Sequence, residues 1–154
     1  MKNIKSLAIF IAIPLILGGI SALISGGNAE LYSSIVLPKF APPSYIFPIA
    51  WTILYILMGI SSFLIYKSSS PYRKEALKIY VIQLLVNFIW SPIFFGAQMY
   101  GLAFIVLILL WVLVALMIIK FYEVEPCAAY LQIPYFLWLT FAGYLNLFVY
   151  LLNR

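Results

Sequence analysis

Histidine and aspartate are absent from this 154-residue chain, cysteine occurs once, and only 8% of the residues are charged. Each shortage excludes a class of chemistry. The four glutamates, Glu30, Glu75, Glu123 and Glu125, all fall between apolar runs or at their ends. Acid–base catalysis by His, Asp or buried Glu therefore has no residues to use. A His-, Asp- or Cys-rich metal or haem-iron site is equally unsupported, so no metal and no cofactor is expected. Proton relays, ion-coupled pumps and amine antiporters need ionisable groups inside the membrane, and the apolar runs supply none. Cys127 cannot form an intrachain disulfide and says nothing about redox compartment. It reads either as an acylation site beside a span or as an inert packing residue.

The shortage of charge also excludes a soluble protein. Soluble domains are about 25% charged and about 45–50% apolar. Here 66% of residues are hydrophobic and 18% aromatic, with mean hydropathy +1.12. A soluble enzyme, a nucleic-acid binder and a disordered chain are all ruled out on composition. The nine Lys and Arg give a net charge of +5, too dispersed to form a nucleic-acid patch. An integral membrane protein in a lipid bilayer remains.

What is present is a set of five apolar segments, at about 6–25, 46–66, 77–97, 102–119 and 128–152. A helical span needs roughly 20 apolar residues. Strict alternation is missing, which excludes a barrel. Lipid offers free backbone groups no partner, so the segments must be helices. The expected fold is all-α, one five-helix transmembrane domain over residues 1–154. The first segment follows Lys2 and Lys5 but is longer than the usual 7–15-residue signal core, so it is read as a retained span. Its small pairs, Gly18 with Ala22 and Ser21 with Ser25, suit close helix packing. Pro14, Pro48, Pro92 and Pro134 predict kinks.

With five spans, Lys2, Lys5, Lys67, Arg73, Lys74, Lys78 and Lys120 share one side. Lys39 and Arg154 are on the other. The positive-inside rule then places the N-terminus in the cytoplasm and the C-terminus outside. Three links are short. The fourth, residues 26–45, is about 20 residues long, and structureless links of that length are usually functional. It carries Pro38, Pro42 and Pro43, with Pro48 just inside the next span, interleaved with Tyr32, Phe40, Tyr45 and Phe47. It reads as a stiff aromatic lid or as an interfacial aromatic belt.

Aromatic and amide side chains recur at helical spacing. Trp51, Tyr55 and Met58 share one face, as do Gln83, Asn87, Trp90 and Phe94. Tyr135, Trp138, Ala142 and Leu145 form a third stripe with Asn146 at its edge. Any one stripe reads as helix packing or as a site wall. Amides are costly against lipid, so Gln83, Asn87 and Asn146 should point inward. A cavity walled by all three stripes would suit a large, planar, mostly apolar ligand.

These residues carry a family likeness. Leu37-Pro38-Lys39-Phe40-Ala41-Pro42-Pro43, then Phe47-Pro48-Ile49-Ala50-Trp51-Thr52, Leu54-Tyr55 and Met58-Gly59, resemble the signature of the translocator protein (TspO/MBR, peripheral benzodiazepine receptor) family. Gln83 to Asn87 with Trp90-Ser91 to Phe94-Phe95-Gly96 resembles its third helix. Pro134-Tyr135, Trp138, Ala142 and Leu145-Asn146 resembles its last. Phe40 stands where many members have the Trp of a Trp-x-Pro-Pro string. The resemblance implies a bacterial-type member in a cell membrane, commonly a homodimer, with a pocket under the first long loop. It implies binding of protoporphyrin IX and related tetrapyrroles, and of isoquinoline carboxamide and benzodiazepine ligands. Pocket positions would be Tyr32, Trp51, Asn87, Trp90, Trp138, Ala142 and Leu145. If the protein degrades protoporphyrin in light, Trp51 and Trp138 would be the catalytic pair. A receptor or sensor, such an enzyme, and a passive tetrapyrrole carrier are the three expectations. Leu145, Tyr150 and Arg154 also match the family's weak sterol pattern, which an ordinary helix end matches as well.

Overall fold

A computed structural model describes residues 2–26 and 28–154; Gly27, within the expected lid, lies outside the described residues, as do the side chains of Lys2, Asn28 and Ala29. Seven α-helices follow in order. They are α1 (Lys2–Ser25), α2 (Asn28–Ser34), α3 (Ile46–Lys67), α4 (Arg73–Ser91), α5 (Tyr100–Val124), α6 (Pro126–Tyr130) and α7 (Ile133–Leu152). A π-helical turn, Pro92–Gly96, prolongs α4. Five helical stretches are long and apolar enough to cross a membrane: Asn3–Ser25, Ile46–Lys67, Arg73–Gly96, Tyr100–Val124 and Pro126–Leu152. At 1.5 Å per residue even a 22-residue helix is about 33 Å long, enough for a hydrocarbon core of about 30 Å.

The surface confirms the environment. Ile9, Ile13, Ile16, Ile20 and Leu23 of α1 stand exposed, as do Ile105, Ile108, Val112, Leu116 and Ile119 of α5. Such apolar flanks belong against acyl chains. The polar residues turn inward: Ser61, Ser62, Gln83, Gln132 and Asn146 are almost wholly buried. Lys120 stays at a helix end, where it pairs with Glu123 at 3.2 Å and Glu75 at 3.8 Å.

The four span prolines act differently from one another. α1 runs unbroken through Pro14. Pro48 is the third residue of α3, where its missing N–H would have had no helical partner anyway. These two do not break their helices. Pro92 opens the π turn, in which Ala97 N–H donates to Pro92 O at 2.8 Å. Pro134 opens α7 and cannot bond back to Tyr130, so the fifth span is split at Leu131 and Gln132. Across that split Gln132 N–H turns to Ala129 O, and the Ser61 hydroxyl donates to Ala128 O at 2.7 Å. A side chain of α3 thus satisfies a carbonyl at the broken helix, as a membrane interior demands.

The close approach of α1 to α3 rests on Gly59. A Cβ there would collide with the Ile11 backbone and lie 2.7 Å from Phe10 O. Phe10 O is the carbonyl that Pro14 leaves without its usual i+4 donor. The bare face of Gly59 therefore meets the one exposed peptide of that turn. The small residues of α1 serve packing too. Ser21 donates to Phe88 O at 2.7 Å, and Ser25 and Ser91 hydroxyls meet at 2.8 Å. Cys127 is exposed, which removes the expectation that it is a packing residue.

Candidate functional site

The long link is not structureless. It folds as α2 followed by a proline-bearing segment that lies over one end of the bundle. The Tyr32 hydroxyl, on α2, donates to Pro42 O and closes the link on itself. The Tyr32 ring meets Phe47 edge-on at 5.2 Å. Between Tyr32 and Pro42, Val36 N–H donates to Asn153 Oδ1 at 2.8 Å, and Asn153 Nδ2 donates to Val36 O at 2.9 Å. One asparagine at the end of α7 thus replaces a strand partner for the link.

Beneath this cover is a cavity of about 550 Å³. Pockets for organic ligands are typically about 300–1,000 Å³ and mostly apolar. Its walls come from four spans and the link. α3 gives Phe47, Trp51, Thr52 and Tyr55; α4 gives Asn87, Trp90 and Ser91; α7 gives Trp138 and Ala142. α1 gives Leu15, Gly18, Ser21 and Ala22, and the link gives Tyr32, Ser44 and Tyr45. Among the described residues no charged side chain lines it.

The aromatic rings form two groups, one around Trp51 and Trp138 and one around Trp90. Trp51 stacks on Tyr55 with centroids 5.5 Å apart. Trp51 stands edge-on to Trp138 at 6.5 Å and to Tyr135 at 6.1 Å. Phe47 meets Trp138 edge-on at 6.0 Å. Trp90 stacks on Phe94 at 5.2 Å, and its indole N–H donates to Asn146 Oδ1 at 3.1 Å. Asn146 Nδ2 in turn donates to Tyr100 O. The Trp138 indole nitrogen is enclosed and has no protein acceptor. Such rings offer flat dispersive contact and few polar points.

One amide organises the polar side of the cavity. Asn87 Oδ1 accepts from the Tyr55 hydroxyl at 2.9 Å, and Asn87 Nδ2 donates to the Tyr135 hydroxyl at 2.9 Å. Tyr135 donates onward to Gln83 Oε1 at 2.9 Å. Three helices, α3, α4 and α7, are tied through this chain.

Of the residues singled out in the sequence, Tyr32, Trp51, Asn87, Trp90, Trp138 and Ala142 meet at the cavity. Leu145 does not; it lines a small adjoining hollow with Tyr32, Leu37, Phe94 and Val149. Met58 and Gln83 lie in the core, away from the cavity lining. Phe47, read from the sequence as a lid aromatic, lines the cavity, whereas the α1 wall escaped the sequence reading of the site. Gly18, Ser21 and Ala22 were legible only as packing residues, which carry no chemical signal of a wall.

Burial pushes the Tyr32 phenol above its ordinary value of 10.0. A raised phenol keeps its proton, so its hydrogen bond to Pro42 is fully present below about pH 10. That contribution is lost as pH rises through the raised folded value. Among the described residues no glutamate lines the cavity, and the chain has no histidine. Affinity for an uncharged ligand should therefore stay within about twofold from pH 6 to 9. A titration series by fluorescence checks this; a steep change near pH 6.5 would contradict it.

These features define a class: an all-helical integral membrane protein with five spans around an aromatic, uncharged cavity. The chain belongs to the TspO/MBR family, which matches residues 10–151. It is 33% identical over 157 residues to the tryptophan-rich protein TspO of Chlorobaculum tepidum, covering 99% of this chain and 98% of that one. It is 40% identical over 126 residues to the translocator protein of Ovis aries, covering 80% and 75%. It is 34% identical over 117 residues to the tryptophan-rich sensory protein of Cereibacter sphaeroides, covering 76% and 73%.

Proposed function

We propose that this protein is a membrane receptor or sensor that binds protoporphyrin IX and related tetrapyrroles in the Trp-lined cavity. Isoquinoline carboxamide and benzodiazepine-type molecules would enter the same space. The observation that carries the reading is the cavity itself, about 550 Å³ with Trp51, Tyr55, Trp90 and Trp138 around it and no charge in its walls. A flat macrocycle gains from such faces without paying to strip a buried charge. The sensory and translocator names of the relatives support a receptor role. The protein is further proposed to sit in a bacterial cell membrane as a homodimer, which mass measurement in detergent would test; a monomer at every loading would sink it. The cationic bias among the links supports a cytoplasmic N-terminus. Labelling of exposed Cys127 by an impermeant thiol reagent from outside intact cells would overturn that orientation.

A second reading, light- and oxygen-dependent degradation of protoporphyrin IX, is favoured by one contact. The Trp51 and Trp138 rings meet at 6.5 Å and both face the cavity. A photosensitised reaction with dioxygen as oxidant needs oxidisable indoles beside the porphyrin, not a proton shuttle. The test follows porphyrin absorbance with purified protein, in light and in darkness, beside Trp51→Phe and Trp138→Phe. Dark binding should survive within roughly tenfold, because a phenyl ring keeps most of the apolar contact. Light-dependent loss of porphyrin should collapse in both variants. If both variants degrade porphyrin at the wild-type rate, the enzymatic reading loses its residues.

A further inference from the structure

Deeper in the core, away from the cavity lining, the bundle carries polar side chains that the ligand reading does not use. Gln83 and Gln132 are fully buried and Tyr80 is 5% exposed. Gln83 Nε2, both polar atoms of the Gln132 amide and the Tyr80 hydroxyl have no hydrogen-bond partner among the described residues. Native interiors leave very few such groups, and those that remain call for an explanation. Four of them belong to three residues of one region. α4 and α7 run in the same direction through the bundle, and Tyr135 meets Gln83 where they face each other. Three residues back along each chain lie Tyr80 and Gln132, which this register brings to one level. Ser62 of α3 lies beside the Tyr80 hydroxyl, and its own hydroxyl proton goes to Gly59 O at 3.1 Å.

We propose that Tyr80, Gln83 and Gln132 build a second site, a buried polar pocket that binds water and is joined to the ligand cavity through Tyr135 and Asn87. The donor and acceptor inventory selects water. The two amides offer N–H donors, while Gln132 Oε1 needs a donor in return. A small anion could accept from the amides but could not satisfy Oε1. A cation would find no carboxylate. Water accepts and donates, and buried waters characteristically make about three hydrogen bonds to otherwise unpaired groups. The helix break at Leu131 and Gln132 sets the fully buried Gln132 on a different azimuth from the one an unbroken helix from α6 into α7 would give it. The joining chain is continuous: Gln83 Oε1 to Tyr135, Tyr135 to Asn87 Nδ2, Asn87 Oδ1 to Tyr55. The pocket therefore shares a hydrogen-bond network with the cavity wall whatever ligand the cavity takes.

The chain has only three glutamines, Gln83, Gln98 and Gln132. Labelling the full-length protein with ¹⁵N-glutamine in detergent thus gives three side-chain amide pairs, with exposed Gln98 as the reference. Gln83 and Gln132 amides should show Overhauser contacts of slowly exchanging water, and Gln98 only those of fast exchange. Gln132→Met keeps length and removes the amide. It should abolish the slow-water contact at Gln83 and lower the thermal midpoint. Tyr80→Phe, which keeps the ring, should fold and weaken the contacts at both amides. Absent slow-water contacts at both wild-type amides would overturn the proposal, as would a raised midpoint in Gln132→Met, the result expected of a dry site relieved of two orphaned atoms. Chloride-dependent shifts of the two amides would also overturn it, in favour of an anion.

Discussion

Gly59→Ala should lower the stability of the bundle by about 3 kcal/mol and weaken ligand binding at least tenfold, the upper end of what overpacking usually costs. The three atoms nearest the added Cβ would all be backbone: Ile11 N at 2.9 Å, Phe10 O at 2.7 Å and the Ile11 Cα closer still. No side chain can swing away, so α1 must shift outward as a body. α1 supplies the cavity wall at Leu15, Gly18, Ser21 and Ala22, so binding falls with packing. Gly143→Ala is the matched control, since a Cβ there meets nothing within 4 Å and the residue lies outside the cavity lining. It should be neutral or stabilise slightly, as alanine is the better helix former. Thermal midpoints and dissociation constants of the two variants in one detergent decide the matter. Equal midpoints for both would remove the close contact of α1 with α3 from the account.

Asn87→Leu should destabilise the protein by about 1–3 kcal/mol, two hydrogen bonds at the roughly 0.6–1.7 kcal/mol each measured inside membrane proteins. The Tyr55 hydroxyl loses its acceptor and Tyr135 loses one of its two partners. Tyr55 then has freedom to rotate out of its stack on Trp51. Affinity should drop roughly tenfold, equivalent to about 1.4 kcal/mol. The loss should appear mainly as faster dissociation, as is usual for changes within a site. Wild-type affinity with wild-type stability would show that the amide is not the cavity's polar organiser.

The spans were legible because lipid leaves little choice: a long run without charge must be a helix. Their ends were less so. The apolar run 102–119 becomes Tyr100–Val124 in the structure, because Lys120 and Glu123 pair at the helix end and let it project beyond the core. The short helix Asn28–Ser34 had no periodic signal to reveal it, and it is held by a tyrosine-to-carbonyl bond ten residues away. Nor did anything mark Asn153 as the residue that fastens the link to α7. Helical spacing put Trp51, Asn87 and Trp138 each on a face. It could not say which faces converge, and that depends on how close Gly59 lets α1 come. Leu145 shows the limit of stripe reasoning: one turn beyond Ala142 on the same face, it lies in the neighbouring hollow.

The central claim is that flat, apolar ligands occupy the space between Trp51, Trp90 and Trp138. Ala142 lines that space and is nearly buried. Ala142→Phe would fill part of it without adding charge. The decisive measurement is a titration of protoporphyrin IX, in darkness, against wild type and Ala142→Phe, followed by tryptophan quenching with thermal midpoints recorded alongside. The account predicts saturable one-site binding to wild type and at least a tenfold loss in the variant at a similar midpoint. Equal affinity for the two folded proteins would place the ligand elsewhere and contradict the account.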